Sequence, residues 1–158
     1  MYKLCVVVLA FLPSIISVGT PVRDCQDGSP LPDGVFFGSR ETPCTAPPCQ
    51  ISRARGYAVT YVDFTPAFTT QRIRPRVRAT VFGTVNITQV LPDEINNNPC
   101  GILTLGSCPL SGGAPAAYRL ELPVDPSTPL IGTDTHITLF GDDDEVIFCY
   151  QVTTQLIP

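Results

Sequence analysis

The chain contains no tryptophan, one methionine, one histidine (His136) and one lysine (Lys3) among 158 residues. Each scarcity excludes something. A nucleophilic triad needs a positioned base, and a single histidine inside a strand-like segment flanked by Thr135 and Thr138 reads as a solvated surface residue. No C-x-x-C pair stands beside it, so a zinc site has no ligand set. Phosphate-binding loops, dinucleotide fingerprints and nucleophile elbows are also missing. The chain therefore reads as a non-enzyme with no cofactor and no metal. With ten basic against fourteen acidic residues the net charge is −4, and no basic block is long enough to track a phosphate backbone, so nucleic acid is not an expected partner. Helical windows are scarce as well: 17 prolines and 12 glycines are spread along the chain, and few stretches of helical length escape them.

What is present begins at the N-terminus. Lys3 precedes the apolar run Leu4 to Leu12, interrupted by Pro13, and the small residues Ser17 and Gly19 occupy the −3 and −1 positions of a signal-peptidase site. The run is too short to span a bilayer. This is the segment order of a secretory signal, so residues 1–19 are expected to be removed, leaving a soluble single domain over 20–158. Cys5 leaves with the signal. Cys25, Cys44, Cys49, Cys100, Cys108 and Cys149 remain; in a secreted chain such an even set reads as three disulfides, with about fifteen pairings open.

Between the prolines lie short segments rich in Val, Ile, Thr, Phe and Tyr, the pattern of a β-sandwich or barrel. Strands are expected over 34–38, 50–53, 57–64, 72–82, 84–90, 118–122, 135–140 and 146–157. Alternation sets Tyr57, Val59 and Tyr61 on one face of the third and Ala58, Thr60 and Val62 on the other. In the last it aligns Val146, Phe148, Tyr150 and Val152. Gly141-Asp142-Asp143-Asp144-Glu145 reads as a hairpin tip; the spacing of a calcium loop is absent. Asn96 to Pro99 and Ser111 to Gly113 read as loops. Asn86-Ile87-Thr88 is a glycosylation acceptor, which turns the Asn86 side chain to solvent. Arg72, Arg74, Arg76 and Arg78 recur at spacing two and share one face of a regular strand. That face reads first as a solvated outer surface, and second as a basic stripe for anionic headgroups. Pro75 marks an edge or a bulge.

The cysteine frame and its neighbours resemble the ML lipid-recognition domain family, close to its Niemann–Pick type C2 sterol-carrier branch. The residues carrying the resemblance are Val22-Arg23-Asp24-Cys25, Asp33-Gly34, Thr42-Pro43-Cys44, Pro48-Cys49-Gln50-Ile51, Cys100-Gly101, Cys108-Pro109-Leu110, Tyr118, Leu122-Pro123-Val124 and Phe148-Cys149-Tyr150-Gln151-Val152. The Gly141-Asp142-Asp143 turn is similar to that of mite group 2 allergens of the same family. The resemblance implies an all-β, immunoglobulin-like sandwich of two antiparallel sheets, the pairing Cys25–Cys149, Cys44–Cys49 and Cys100–Cys108, and an apolar cavity between the sheets. A cavity lined by such aliphatic and aromatic residues stays dry and takes an apolar guest.

The implied ligand-binding set is Val124, Tyr118, Val90, Leu91, Thr128, Val59, Tyr61 and Phe148. Val124 keeps the family residue. Thr128 replaces an aromatic, and Val90 or Leu91 stands nearest to a gating phenylalanine. The implied function is that of a monomeric, secreted lipid-binding and transfer protein for a sterol, fatty acid or apolar semiochemical, with transient membrane or receptor contact. The extracellular space is the expected destination, the lysosomal lumen being served by the same signal. The alternative is a secreted recognition or immune accessory module for microbial or anionic lipids, whose mark would be the Arg72–Arg78 stripe at the cavity rim.

Overall fold

The computed structural model describes residues 19–158. The expected signal segment lies, apart from Gly19, outside the described residues. Among the described residues nine strands form two sheets: β1 (Gly34–Phe37), β2 (Cys49–Ser52), β3 (Tyr57–Phe64), β4 (Arg74–Val81), β5 (Val85–Thr88), β6 (Leu103–Leu105), β7 (Ala116–Pro123), β8 (Gly132–Phe140) and β9 (Val146–Ile157). A four-stranded sheet runs β1-β3-β7-β6 and a five-stranded sheet runs β2-β9-β8-β4-β5. Every pairing is antiparallel except the edge pair β2–β9, which is parallel. The expected all-β sandwich is the fold observed.

Two details differ from expectation. The segment before Cys100 holds a short helix, α1 (Asp93–Asn97), and a three-residue strand β6 follows it. Pro92 opens the helix, the Asn96 side chain donates to the Leu91 carbonyl at 2.8 Å, and Ile95 is buried beneath. One buried isoleucine among asparagines is too little pattern for a 3.6-residue period to show. Strands β7 and β8 also begin earlier than expected, because ladder partners continue their pairing to Ala116 and Gly132.

The core lies between the sheets. Phe64 and Tyr118 from one, and Phe148 and Tyr150 from the other, are almost fully buried. Each such side chain contributes about 1.5–3 kcal/mol by leaving water. Three disulfides close the domain: Cys25–Cys149, Cys44–Cys49 and Cys100–Cys108, the pairing that the resemblance implied. Ahead of Cys25 the chain already belongs to the sandwich. Thr20 N–H donates to the Val35 carbonyl at 2.7 Å, and the Thr20 hydroxyl accepts from Phe37 N–H at 2.8 Å.

Candidate functional site

The inner face of each sheet follows from ladder register, since directly opposed residues share a face. Thr60 stands opposite Leu120, Val62 opposite Tyr118 and Phe64 opposite Ala116. These residues face the other sheet, and Thr60 Oγ1 lies 3.2 Å from the Tyr150 hydroxyl on β9. The other face of β3 therefore points away from the core. Tyr61 and Val59 stand opposite Arg119 and Glu121, and the Tyr61 ring lies beneath the guanidinium groups of Arg40 and Arg119, at 5.5 and 6.0 Å. The Arg119 guanidinium is held above its usual range by the Tyr61 hydroxyl and by Glu121. Placing Val59 and Tyr61 in an inter-sheet site is thus corrected: both belong to the outer face.

The remaining expected residues fall into three places. Tyr118, Phe148 and Leu91 belong to the buried core cluster. Val124 and Thr128 sit half-buried at one end of the sandwich. There Val124 N–H donates to the Gly56 carbonyl at 2.9 Å, and Arg53 donates to the Thr128 carbonyl at 3.3 Å. Gly56 adopts φ 77° to make that turn, a conformation that costs glycine little. Val90 is 82 % exposed.

Between the sheets lie the protein's own rings. Tyr118 and Phe148 stack with centroids 5.9 Å apart, Phe64 lies 5.2 Å from Phe148, and Phe148 lies 6.1 Å from Tyr150. Two open hollows lie elsewhere. One of about 580 Å³ lies against Asp33, Arg40, Asp63, Phe64, Leu105 and Ala116, where β3 ends and β7 begins. Another of about 410 Å³ lies between α1, Arg72–Pro75 and the turn at Gly141–Asp144.

An apolar surface does open from the core at the β5 edge. Val85 stands opposite Val81 and Ile87 opposite Ala79. These positions share the face that carries Val77 of the core cluster, yet Val85 and Ile87 are 52 and 50 % exposed. Phe82 at the hairpin tip and Val90 beyond it are exposed as well. The core face of the five-stranded sheet therefore runs past the cover of its partner and ends in an uncovered flank of large apolar side chains. Scattered apolar residues on a surface are ordinary; a group continuous with the core is a mark of binding. Sequence reading missed this flank, although the alternation of Val85 and Ile87 with Asn86 and Thr88 carried its signal.

The basic stripe does not meet the flank. Arg74, Arg76 and Arg78 stand opposite Phe140, Thr138 and His136 on the outer face, and Arg74 and Arg76 lie over the Phe140 ring at 4.9 and 4.5 Å. Arg72 and Arg74 pair with Asp142 and Asp144. That placement removes the mark required for anionic-lipid recognition. The acidic turn holds its own contacts, with Asp142 accepting from Gln71 N–H at 2.6 Å, which lowers its pKa. Among the described residues no cluster of three or more His, Cys, Asp or Glu is placed to hold a metal ion, and no helix is long and apolar enough to cross a membrane.

Comparison with known proteins adds to this geometry. The ML domain profile matches residues 19–156. The chain is 29 % identical over 158 residues to the NPC intracellular cholesterol transporter 2 of Sus scrofa, covering 99 % of each protein. To the protein of the same name in Canis lupus familiaris it is 29 % identical over 134 residues, covering 85 % of this chain and 83 % of that one. Its fold is similar to the crystal structure of a Niemann–Pick type C2 protein from the Japanese carpenter ant, with a TM-score of 0.70 at 19 % identity, covering 87 % of this chain and 99 % of that one.

Proposed function

The chain belongs to the ML domain family, and on that premise we propose that it is a lipid carrier, not an enzyme, which holds a sterol or a similar apolar lipid between its two sheets. The observation that carries the reading is the flank of Val85 and Ile87, on the core face of the five-stranded sheet and half exposed. A ligand slid in from that edge would exchange water for the core face of β4 and β5. It would part the stacked rings of Tyr118 and Phe148 and take their apolar contacts. Removing sterol-sized apolar surface from water at about 25 cal/mol per Å² yields several kcal/mol, and the rings it displaces re-pack against it. The curated relatives are named as cholesterol transporters, which supports a sterol as the first ligand to try.

The same reading takes residues 1–19 as a signal, 20–158 as the secreted domain and Asn86 as a glycan acceptor. Asn86 lies on the outer face of β5, where its Oδ1 accepts from the Thr80 hydroxyl at 2.7 Å. A glycan there leaves the flank clear.

Fluorescent dehydroergosterol, added to the refolded domain, tests the proposal. It binds the parent protein, and Ile87→Asp weakens it about tenfold or more by placing a charge on the apolar flank. Tyr61→Ser, on the outer face, leaves affinity unchanged. Failure of the domain to bind dehydroergosterol or any acyl-chain probe overturns the carrier reading.

A further inference from the structure

Two arginines in the middle of the basic stripe lack a counter-ion. Arg72 and Arg74 pair with Asp142 and Asp144 beyond one end of them, and Arg23 takes Asp134 beyond the other. Arg76 and Arg78 make no ion pair among the described residues, although both side chains are half-buried. The Arg76 guanidinium lies over the Phe140 ring at 4.5 Å, a contact that covers its face and leaves its N–H edge unsatisfied. Its Nε is buried with no acceptor. Burial lowers the Arg76 pKa, and Arg78 and Arg74 lower it further. Asp27 is close enough for both arginines to feel its charge, yet its carboxylate accepts from Ser29 N–H at 3.0 Å and stays outside ion-pair distance. An unpaired arginine in open water is ordinary; a half-buried one with an orphaned N–H calls for a partner.

Arg78 stands directly opposite His136, and Arg76 lies two residues along the same face, about 7 Å away at the Cα atoms. We propose that Arg76 and Arg78, with His136 beside them, bind a single tetrahedral oxyanion, a phosphate or sulfate group, on the outer face of the five-stranded sheet. Guanidinium forks present paired N–H donors to such a group, and one anion between them takes donors from both. The imidazole of His136 supplies one further N–H. Val85 and Ile87 lie on the other face of the β4–β5 ribbon, so the site stands apart from the apolar flank and does not depend on the carrier reading.

The surroundings limit the size of the anion. Asp142, Asp143, Asp144 and Glu145 crowd one end of the stripe, and Asp27 and Asp134 stand at the other. A sulfated polysaccharide or an anionic membrane would press its negative charge against these carboxylates, whereas one isolated oxyanion meets only the two free cations.

NMR of the disulfide-bonded protein reads the site directly, because His136 is the single histidine. Inorganic phosphate, added at constant ionic strength against sodium chloride, is expected to shift the His136 ring signals saturably, with a dissociation constant on the order of 1 mM. In sodium sulfate, whose charge is constant across the histidine range, the His136 pKa is expected to rise, since the anion offsets Arg78. Arg76→Gln and Arg78→Gln are each expected to weaken binding about tenfold. Asp27→Asn, which removes a like charge from the anion's surroundings, is expected to tighten it about twofold. Arg55→Gln, at an exposed arginine elsewhere, leaves it unchanged. Glycerol 3-phosphate binding as well as inorganic phosphate assigns the site to a phosphomonoester; binding of inorganic phosphate alone assigns it to the free ion.

A shift that sodium chloride reproduces, or one that survives in a folded Arg78→Gln protein, overturns the site. Tighter binding per charge to heparin, or to vesicles of phosphatidylcholine and phosphatidic acid, overturns the restriction to a single oxyanion. None of these outcomes touches sterol binding, which is measured separately with dehydroergosterol.

Discussion

The rings of Tyr118 and Phe148 stack across the gap between the two sheets, nearly parallel at 13° with centroids 5.9 Å apart. Tyr118 is carried by β7 of the four-stranded sheet and Phe148 by β9 of the five-stranded one, so this pair is a clamp between layers. Phe64 packs on both rings, at 6.2 and 5.2 Å. A guest held between the sheets as proposed would have to part this cluster, which would make the clamp a gate as well as core.

Truncating the gate tests that dual role. Phe148→Ala removes a ring that is 1 % exposed and is expected to cost about 3–5 kcal/mol in urea unfolding. Part of the loss is expected to return on adding hexadecane or dehydroergosterol, because a cavity lined by the remaining rings accepts an apolar guest and binding to the native state stabilises it. A variant whose unfolding midpoint does not respond to either ligand would separate the core role from the gate role.

The disulfides differ in the loop each closes. Cys25 and Cys149 are 124 residues apart, whereas Cys44 and Cys49 are separated by 5. In the chain-entropy description the first stabilises by roughly 4–5 kcal/mol and the second by about 2 kcal/mol. Replacing both cysteines of a pair by serine is expected to reproduce that order in denaturation midpoints. The long link also fastens the segment from Arg23 to Pro30 along the edge of β9, where Cys149 N–H donates to the Pro30 carbonyl and Arg23 exchanges backbone hydrogen bonds with Gln151. Its removal should therefore raise amide exchange at Arg23 and Gln151 ahead of global unfolding.

Asn86 gives a third test. All four residues of β5 are exposed, and the strand carries neither proline nor charge, so its open edge invites pairing with another chain. A glycan on Asn86 would cover that edge from the outer face. In a eukaryotic secretory host the chain is expected to carry one glycan, lost in both Asn86→Gln and Thr88→Ala. The unglycosylated variants are expected to self-associate more readily by light scattering.

Much of the fold was legible in the residues because local chemistry and global pattern agreed. Gly and Asp at 141–144 demand a turn, and Asp143 and Asp144 do take φ of 52° and 61° there. Phe148, Tyr150 and Val152 point inward as one row, as their alternation implies, but a bulge between Leu139 and Phe140 sets Val146 opposite Phe140 on the outer face, so the expected alignment of Val146 with them is corrected. Strand β3 was legible as a strand but not as to its face. Both of its faces carry apolar residues, with Tyr57, Val59 and Tyr61 turned outward and Ala58, Val62 and Phe64 inward. What decides the face is tertiary: small Ala58 and Thr60 leave room for Tyr150 from the opposite sheet, and Arg40 and Arg119 cover Tyr61. No periodicity in one strand holds that information. The flank at Val85 and Ile87 was hidden for a related reason, since exposure of a core face depends on where the other sheet ends. The resemblance to the ML family supplied the disulfide pairing, which spacing alone left open.

His136 carries the last prediction, on pH. It lies on the outer face of β8, opposite Arg78 on β4 and Gln151 on β9. Burial lowers its pKa below the ordinary 6.5; Arg78 and Arg23 push the same way, while Asp134 and Asp27 oppose them. The folded protein therefore holds the imidazole neutral at a pH where the unfolded chain has already taken up a proton. Since the unfolded state binds more protons in that window, stability falls as the pH drops. The contribution is complete above about 6.5, the unfolded value, and declines until the pH passes below the depressed folded value, after which it is flat. Asp27 and Asp142, whose pKa values are also lowered, add their own loss only below the carboxylate range, beneath this window. His136→Gln keeps a polar side chain and removes the titration. Melting curves from pH 7.5 to 5 should show the parent losing stability through the histidine range and the variant losing less. Equal losses in the two proteins would mean that the imidazole is as readily protonated in the sheet as in water.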